Sequence, residues 1–300
     1  FSYGQVGDTH DGSFEISQIW NAILHDLLLF ENQFPFDILV KLFDMAKDSN
    51  QQSAPDNIVD IALSSLAKLV PYFGNFPPSK IPPNNVDHLL GLVHDSWCSS
   101  FAEIVSSPGN IYASQGSKWR VIKCATELQE VGIKFETATE SSSLFDIKFK
   151  NGIMRIPPLQ IDDDTEWFFR NMVAYEQYKR GTNAHYVTDY MTFIDCLLDS
   201  PKDVKILRDC GVIDNGLGDD RVVSNMFIKM TNHVNVCAAR FCYSKVFNRV
   251  NEYCGHPWRT WMANLKHNYF NNPWSIISVI GAFVLLVLTV IQTIYSILHG

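Results

Sequence analysis

IISVIGAFVLLVLTVIQTIYSIL, residues 276–298, is an uninterrupted apolar run without a charge. As a helix rising about 1.5 Å per residue it would be roughly 34 Å long. A bilayer's hydrocarbon core is roughly 30 Å thick. Core helices of that length normally keep a polar face. The run therefore predicts a transmembrane helix, Ile276–Leu298, behind a separate body, residues 1–270. Asn271, Asn272 and Pro273 divide the two, and Trp274 and Tyr295 suit the membrane interfaces. Residues 255–274 carry Arg259 and Lys266 and no acid. The positive-inside rule then places the body in the cytosol, and the lack of any Asn-x-Ser/Thr sequon agrees. The expectations are a single-pass, C-terminally anchored membrane protein, with the plasma membrane as candidate compartment and the lipid bilayer as a partner through Ile276–Leu298.

The body is acidic. The 300 residues carry a net charge of −8, which argues against nucleic acid, whose phosphates require a basic face. No signal peptide is visible, and the chain opens on Phe1 rather than Met, which suggests a missing or processed N-terminus. The seven cysteines are scattered and mostly sit inside apolar patterns such as VIKCATEL and FIDCLLD. That reads as reduced, buried thiols.

Helical periodicity runs through most of the body. Ile16, Ile19, Trp20, Ile23, Leu24, Leu27 and Leu28 recur at helical spacing. Glu31, Asn32 and Gln33 break that helix, and Pro35 opens another with Phe36, Leu39, Leu42 and Phe43 on one face. Asp56 is placed to cap a third helix, which ends before Pro71. Residues 75–85, with four prolines, and 106–117 read as loops. Helices are predicted over 86–105, 118–130, from Thr165, 186–198, 203–210 and 221–230, with one or two more leading to the anchor. The one strand signal is a hairpin: Leu144–Phe149 and Ile153–Ile156 flank Asn151-Gly152, a pair suited to a type I′ turn. The expected fold class is mainly α, a helical body with one short β-hairpin followed by the transmembrane helix.

No GxSxG, GxxxxGK[ST], HExxH or GxGxxG pattern occurs. Asp162, Asp163 and Asp164 read as helix capping rather than a cation site. Cys237, Cys242, Cys254 and His256 lack a zinc-finger spacing. His88 and His94 lie six apart and read as ordinary surface or interfacial histidines. His25-Asp26 points apart on a helix. The expectation is therefore no catalytic, cofactor or metal site. DLLLFENQFPFDILVKLF, residues 26–43, is the densest motif. It reads as a helix–break–helix corner filling the core, with a recognition groove as the functional alternative.

That motif resembles the signature of a plant-specific family, the domain of unknown function 247 (UPF0481-like) family. ATELQEVGIKF (125–135), LFDIKFKNGIMRIPPLQIDD (144–163), TEWFFRNMVAYEQ (165–177), FIDCLLDSPKDVKILRDCGVIDNGLG (193–218) and residues 258–298 follow in the family's order. The resemblance covers nearly all the chain from Asp26. It implies a helical body with a C-terminal hydrophobic segment, an N-terminally truncated chain, and no established activity or cofactor. It also implies a link to self-incompatibility, since some grass members are similar to pollen-side recognition determinants. The expected function is a non-enzymatic recognition or signalling-adaptor protein with an unknown protein partner. The alternative is a membrane-bound hydrolase or transferase with an unrecognised site. Partner contacts are expected in the two loops, through Phe76 and Tyr112.

Overall fold

Leu24 and Leu28, one helical turn apart, are both buried and bring the first helix, α1 (residues 19–27), onto the body. The computed structural model describes residues 19–46, 57–71, 86–107, 112, 120–179, 185–255 and 273–299. The break after α1 is held as its polar residues suggest. Asn32 Nδ2 donates to the Asp26 carbonyl at 3.0 Å, and Gln33 Nε2 donates to the carbonyls of Leu27 and Leu29 at 3.0 and 2.6 Å. Gln33 Oε1 accepts from Leu90 N at 3.0 Å, which ties the corner to the next long helix. α2 (Phe36–Ala46) buries Phe36. α3 (Ile58–Leu66) is capped by Asn57, whose side chain accepts from Val59 N, so Asn57 takes the role expected of Asp56. α4 (Leu89–Ser106) starts at His88, whose Nδ1 accepts from Gly91 N at 3.0 Å.

α5 (Ala125–Glu130) leads into β1 (Lys134–Thr137). β2 (Lys148–Lys150) and β3 (Ile153–Ile156) form the expected hairpin, with Phe149 opposite Met154 and Lys150 opposite Ile153. Asn151 (φ 54°) and Gly152 (φ 81°) give the two positive φ angles of a type I′ turn. The single-hairpin expectation is too sparse. β1 adds to β3 in parallel, making a three-stranded sheet in the order β1-β3-β2. β4 (Leu159–Ile161) pairs in parallel with β5 (Ile213–Asn215). These strands of three or four residues are too short for alternation to stand out in sequence. α6 (Thr165–Tyr178), α7 (Tyr186–Leu197), α8 (Pro201–Asp209), α9 (Asp220–Thr231) and α10 (Ser244–Cys254) complete the body. α7 and α8 pack on α9, and α10 packs on β2. The architecture is mainly α.

Aromatic side chains dominate the interior. Phe145 meets Trp97 edge-on at 4.7 Å and Tyr190 at 5.4 Å. Tyr243 meets Phe193 at 5.0 Å. Tyr112, expected as a partner contact, is fully buried instead. Its hydroxyl donates to Asp146 Oδ1 and the Ile147 carbonyl, at 2.7 and 2.8 Å. Phe76 lies outside the described residues. All seven cysteines are free thiols.

The C-terminal run is helical, within α11 (Pro273–His299). The expected anchor is nevertheless corrected: among the described residues no helix is long and apolar enough to cross a membrane. The single-pass localisation, and the orientation read from it, fall with it.

Gly152 carries two requirements at once. Its φ is costly for any residue with a Cβ, and an added Cβ would overlap the Tyr253 hydroxyl. Gly152→Ala is expected to destabilise the fold by about 2 kcal/mol, read as a lowered urea midpoint. An unchanged midpoint would show that Tyr253 does not pack on the turn.

Candidate functional site

Gly91, His94, Asp95 and Cys98 fall on one face of α4, at the spacing i, i+3, i+4 and i+7. Tyr175, Glu176 and Lys179, at the end of α6, meet them. Gly91 permits the approach, because a Cβ there would sit 2.9 Å from the Tyr175 hydroxyl. His94 is enclosed between two carboxylates, with Nδ1 2.8 Å from Asp95 Oδ1 and Nε2 2.8 Å from Glu176 Oε1. Glu176 also accepts from Val187 N at 3.0 Å and Thr188 N at 2.7 Å, which caps α7. Lys179 Nζ bonds both Asp95 oxygens, at 2.9 and 3.0 Å, and lies 5.0 Å over the Tyr175 ring.

Burial works against a charge on His94. Cys98 and the hydrogen bonds to Asp95, Cys98 and Glu176 outweigh it and hold His94 well above the usual histidine value. Asp95 likewise overcomes burial through His94 and Lys179 and titrates below the usual carboxylate range. Burial pushes the Cys98 thiol up, despite the opposing pull of His94. The cluster is thus an imidazolium held between two carboxylates, beside a neutral thiol.

Cys98 Sγ lies 3.7 Å from His94 Nε2, so cysteine, histidine and aspartate stand in the order of a nucleophile, base and orienting acid. The chemistry runs otherwise. Nε2 is engaged by Glu176, and the thiol is fully buried and held protonated. His94, Cys98 and Glu176 also place one ligand atom each within 4.8 Å of one another. In this structure both Glu176 oxygens serve the α7 amides and His94. The cluster builds the fold. His94 is therefore not the surface or interfacial histidine expected from its spacing with His88; the telling spacing was to Gly91, Asp95 and Cys98.

The other sequence candidates separate. His88 caps α4 and is held below its usual value by burial, against the pull of Asp87. Cys237 is exposed and Cys242 buried; neither joins a metal-binding group among the described residues. His256 lies outside the described residues. His25 Nε2 is 3.4 Å from Asp164, on another element, and its ring stacks on Trp167 at 4.4 Å. In the acidic run, Asp162 Oδ1 accepts from Asp164 N and Thr165 Oγ1 accepts from Asp162 N. Asp162 and Thr165 thus make the local turn, and Asp164 makes no capping bond.

Three of the cavities among the described residues differ in lining and size. One of about 440 Å³ is lined by Asp162, Asp164 and Asp214 beside Lys68. One of about 80 Å³ lies at the start of α7, against Thr188, Asp189 and Arg240. The largest of these three, about 750 Å³, opens between the C-terminal end of α4, the β2–β3 hairpin and α10.

The model of a plant protein family of unknown function, DUF247, matches residues 2–288. The chain belongs to that family. Across 98% of its length it is 28% identical to a UPF0481 protein of Arabidopsis thaliana, and it spans 64% of that relative. A second UPF0481 protein of the same plant is 30% identical over 57% of this chain and 32% of its own. No solved structure matches.

Two consequences are measurable. His94→Ala leaves Glu176 buried without its cation and is expected to cost about 3–5 kcal/mol; a loss below about 1 kcal/mol in urea unfolding would reject the ion pair. The second concerns pH. Burial raises Asp189 to about 7, with the Cys242 amide, 2.7 Å away, opposing it. Unfolded, the group titrates near 3.9. The folded state therefore holds this proton over the interval between, and stability falls as pH rises from about 4 to about 7. His94 extends the fall: its contribution is complete below about 6.5 and drains as pH climbs through its own elevated value. Asp189→Asn should flatten the lower part of this curve and leave the upper part. An unchanged curve below pH 7 would exclude a protonated Asp189.

Proposed function

We propose that this protein is a non-enzymatic recognition protein whose partner docks on the outer face of α1 and α2. One observation carries the reading: α2 is apolar on two faces. Phe36, Leu39 and Val40 turn inward to the core. Ile38, Leu42 and Met45, at helical spacing on the opposite side, are 46, 56 and 83% exposed. Phe34 before α2, and Ile19, Trp20 and Ile23 on α1, are exposed as well. A surface helix needs one apolar stripe, and clustered exposed apolar groups mark interaction sites. The motif of residues 26–43 thus fills the core with one face and leaves the other for contact. The titratable cluster at His94 is occupied with structure, which supports a role without catalysis.

Charge narrows the partner. The segment 19–46 that carries the stripe holds Asp26, Glu31, Asp37 and Asp44, with Lys41 as its one lysine or arginine among the described residues. A second copy of this acidic face would be repelled. An amphipathic helix with basic flanks fits better. Ile38→Glu with Leu42→Glu should leave stability within about 0.5 kcal/mol, since both are exposed. Proximity labelling in plant cells should then lose the proteins marked by the wild type. Retention of the same set would place the docking surface elsewhere.

A further inference from the structure

The 750 Å³ cleft has the sign of charge opposite to that of the protein around it. The chain carries −8 overall, yet Lys148, Lys150, Arg155 and Arg249 line the cleft, with Glu252 as the one carboxylate among the described residues. Two of the cations are committed: Lys148 pairs with Asp146 at 2.6 Å, and Arg155 with Glu136 at 3.1 Å. The side chains of Lys150 and Arg249 have no ion-pair or hydrogen-bond partner among the described residues. Lysines on an exposed strand discourage edge pairing between sheets, which accounts for Lys148 and Lys150 on β2. It does not account for Arg249, which α10 brings to the same cleft.

The floor is aromatic and built for the position. Tyr253 meets Phe149 edge-on at 5.5 Å, and Ile104 extends the apolar surface. Tyr253 lies where it does because Gly152 has no Cβ to obstruct it. The volume falls within the range of small-molecule sites, roughly 300–1,000 Å³, which combine an apolar surface with a few placed polar groups.

We propose that this cleft binds a small organic anion, its acid group met by Lys150 and Arg249 and its flat apolar body lying on Tyr253. An arginine offers a carboxylate or phosphate a planar, charge-assisted fork, and the ring below offers a face for stacking. The site shares no residue with α1 or α2, so its test leaves the docking surface untouched.

The probes are 2-naphthoate and its uncharged counterpart 2-naphthamide, titrated by calorimetry into the full chain. 2-Naphthoate is expected to bind at least about ten-fold more tightly than the amide, and more weakly as salt rises. Lys150→Ala with Arg249→Ala should weaken 2-naphthoate about ten-fold or more and leave the amide unchanged. A thermal melt confirms the fold of this variant, whose lost side chains make no internal bonds. Tyr253→Leu should weaken both probes together. Equal affinity for the two probes, an unaffected double variant, or no binding of 2-naphthoate would each overturn the proposal.

Discussion

Glu176 is the constraint on which the helical body depends. Its side chain is 1% exposed, and leaving a buried carboxylate unpaired costs several kcal/mol. Three donors answer it: His94 from α4 and two amides from the first turn of α7. Hydrogen bonds to a charged group each contribute about 1.5–3 kcal/mol, so gain and desolvation nearly cancel. The effect is specific rather than stabilising. α6 cannot rotate or slide without stranding the carboxylate, the imidazolium or the open end of α7. Asp95 and Lys179 extend the same lock to the surface.

The N-terminal corner is fastened to this frame by polar as well as apolar contacts. Gln33 bonds inward to α1 and outward to the Leu90 amide, and Asn171 of α6 accepts from the Phe30 amide at 2.8 Å. Phe36 N donates to the Asp87 carbonyl at 2.8 Å. The outer stripe of α2 is thus presented by a corner already fixed at both ends. Such preorganisation lowers the ordering cost of any association there.

Most helices were legible because the apolar period of a long helix is hard to mimic. Thr165, Tyr186 and the Asn151-Gly152 turn fell where the pattern placed them. β1, β4 and β5 were not legible, since three or four residues carry too little alternation and their parallel pairings are set by distant contacts. The corner motif was half legible: periodicity identifies apolar faces but cannot say which one lacks a neighbour. Tyr112 was misread because an aromatic residue between Gly109 and Gly116 looks like an exposed loop, whereas its hydroxyl is satisfied by Asp146 in the core. The His94 cluster was hidden by pairing the wrong histidines. The basic cleft could not be seen at all, because Lys150 and Arg249 are ninety-nine positions apart.

α4 relates the two surfaces. The Leu90 amide, at its first turn, donates to Gln33, and Ile104 and Ser107, at its other end, line the cleft. Its 18 residues span about 27 Å. Midway, His94 and Asp95 are bonded to α6, so a shift along the axis would break the ion pair before it carried motion from one end to the other. An element so held has one arrangement, and coupling between sites needs two. Sites this far apart, sharing no side chain, contribute additively. The helix therefore acts as a spacer that sets the separation of corner and cleft.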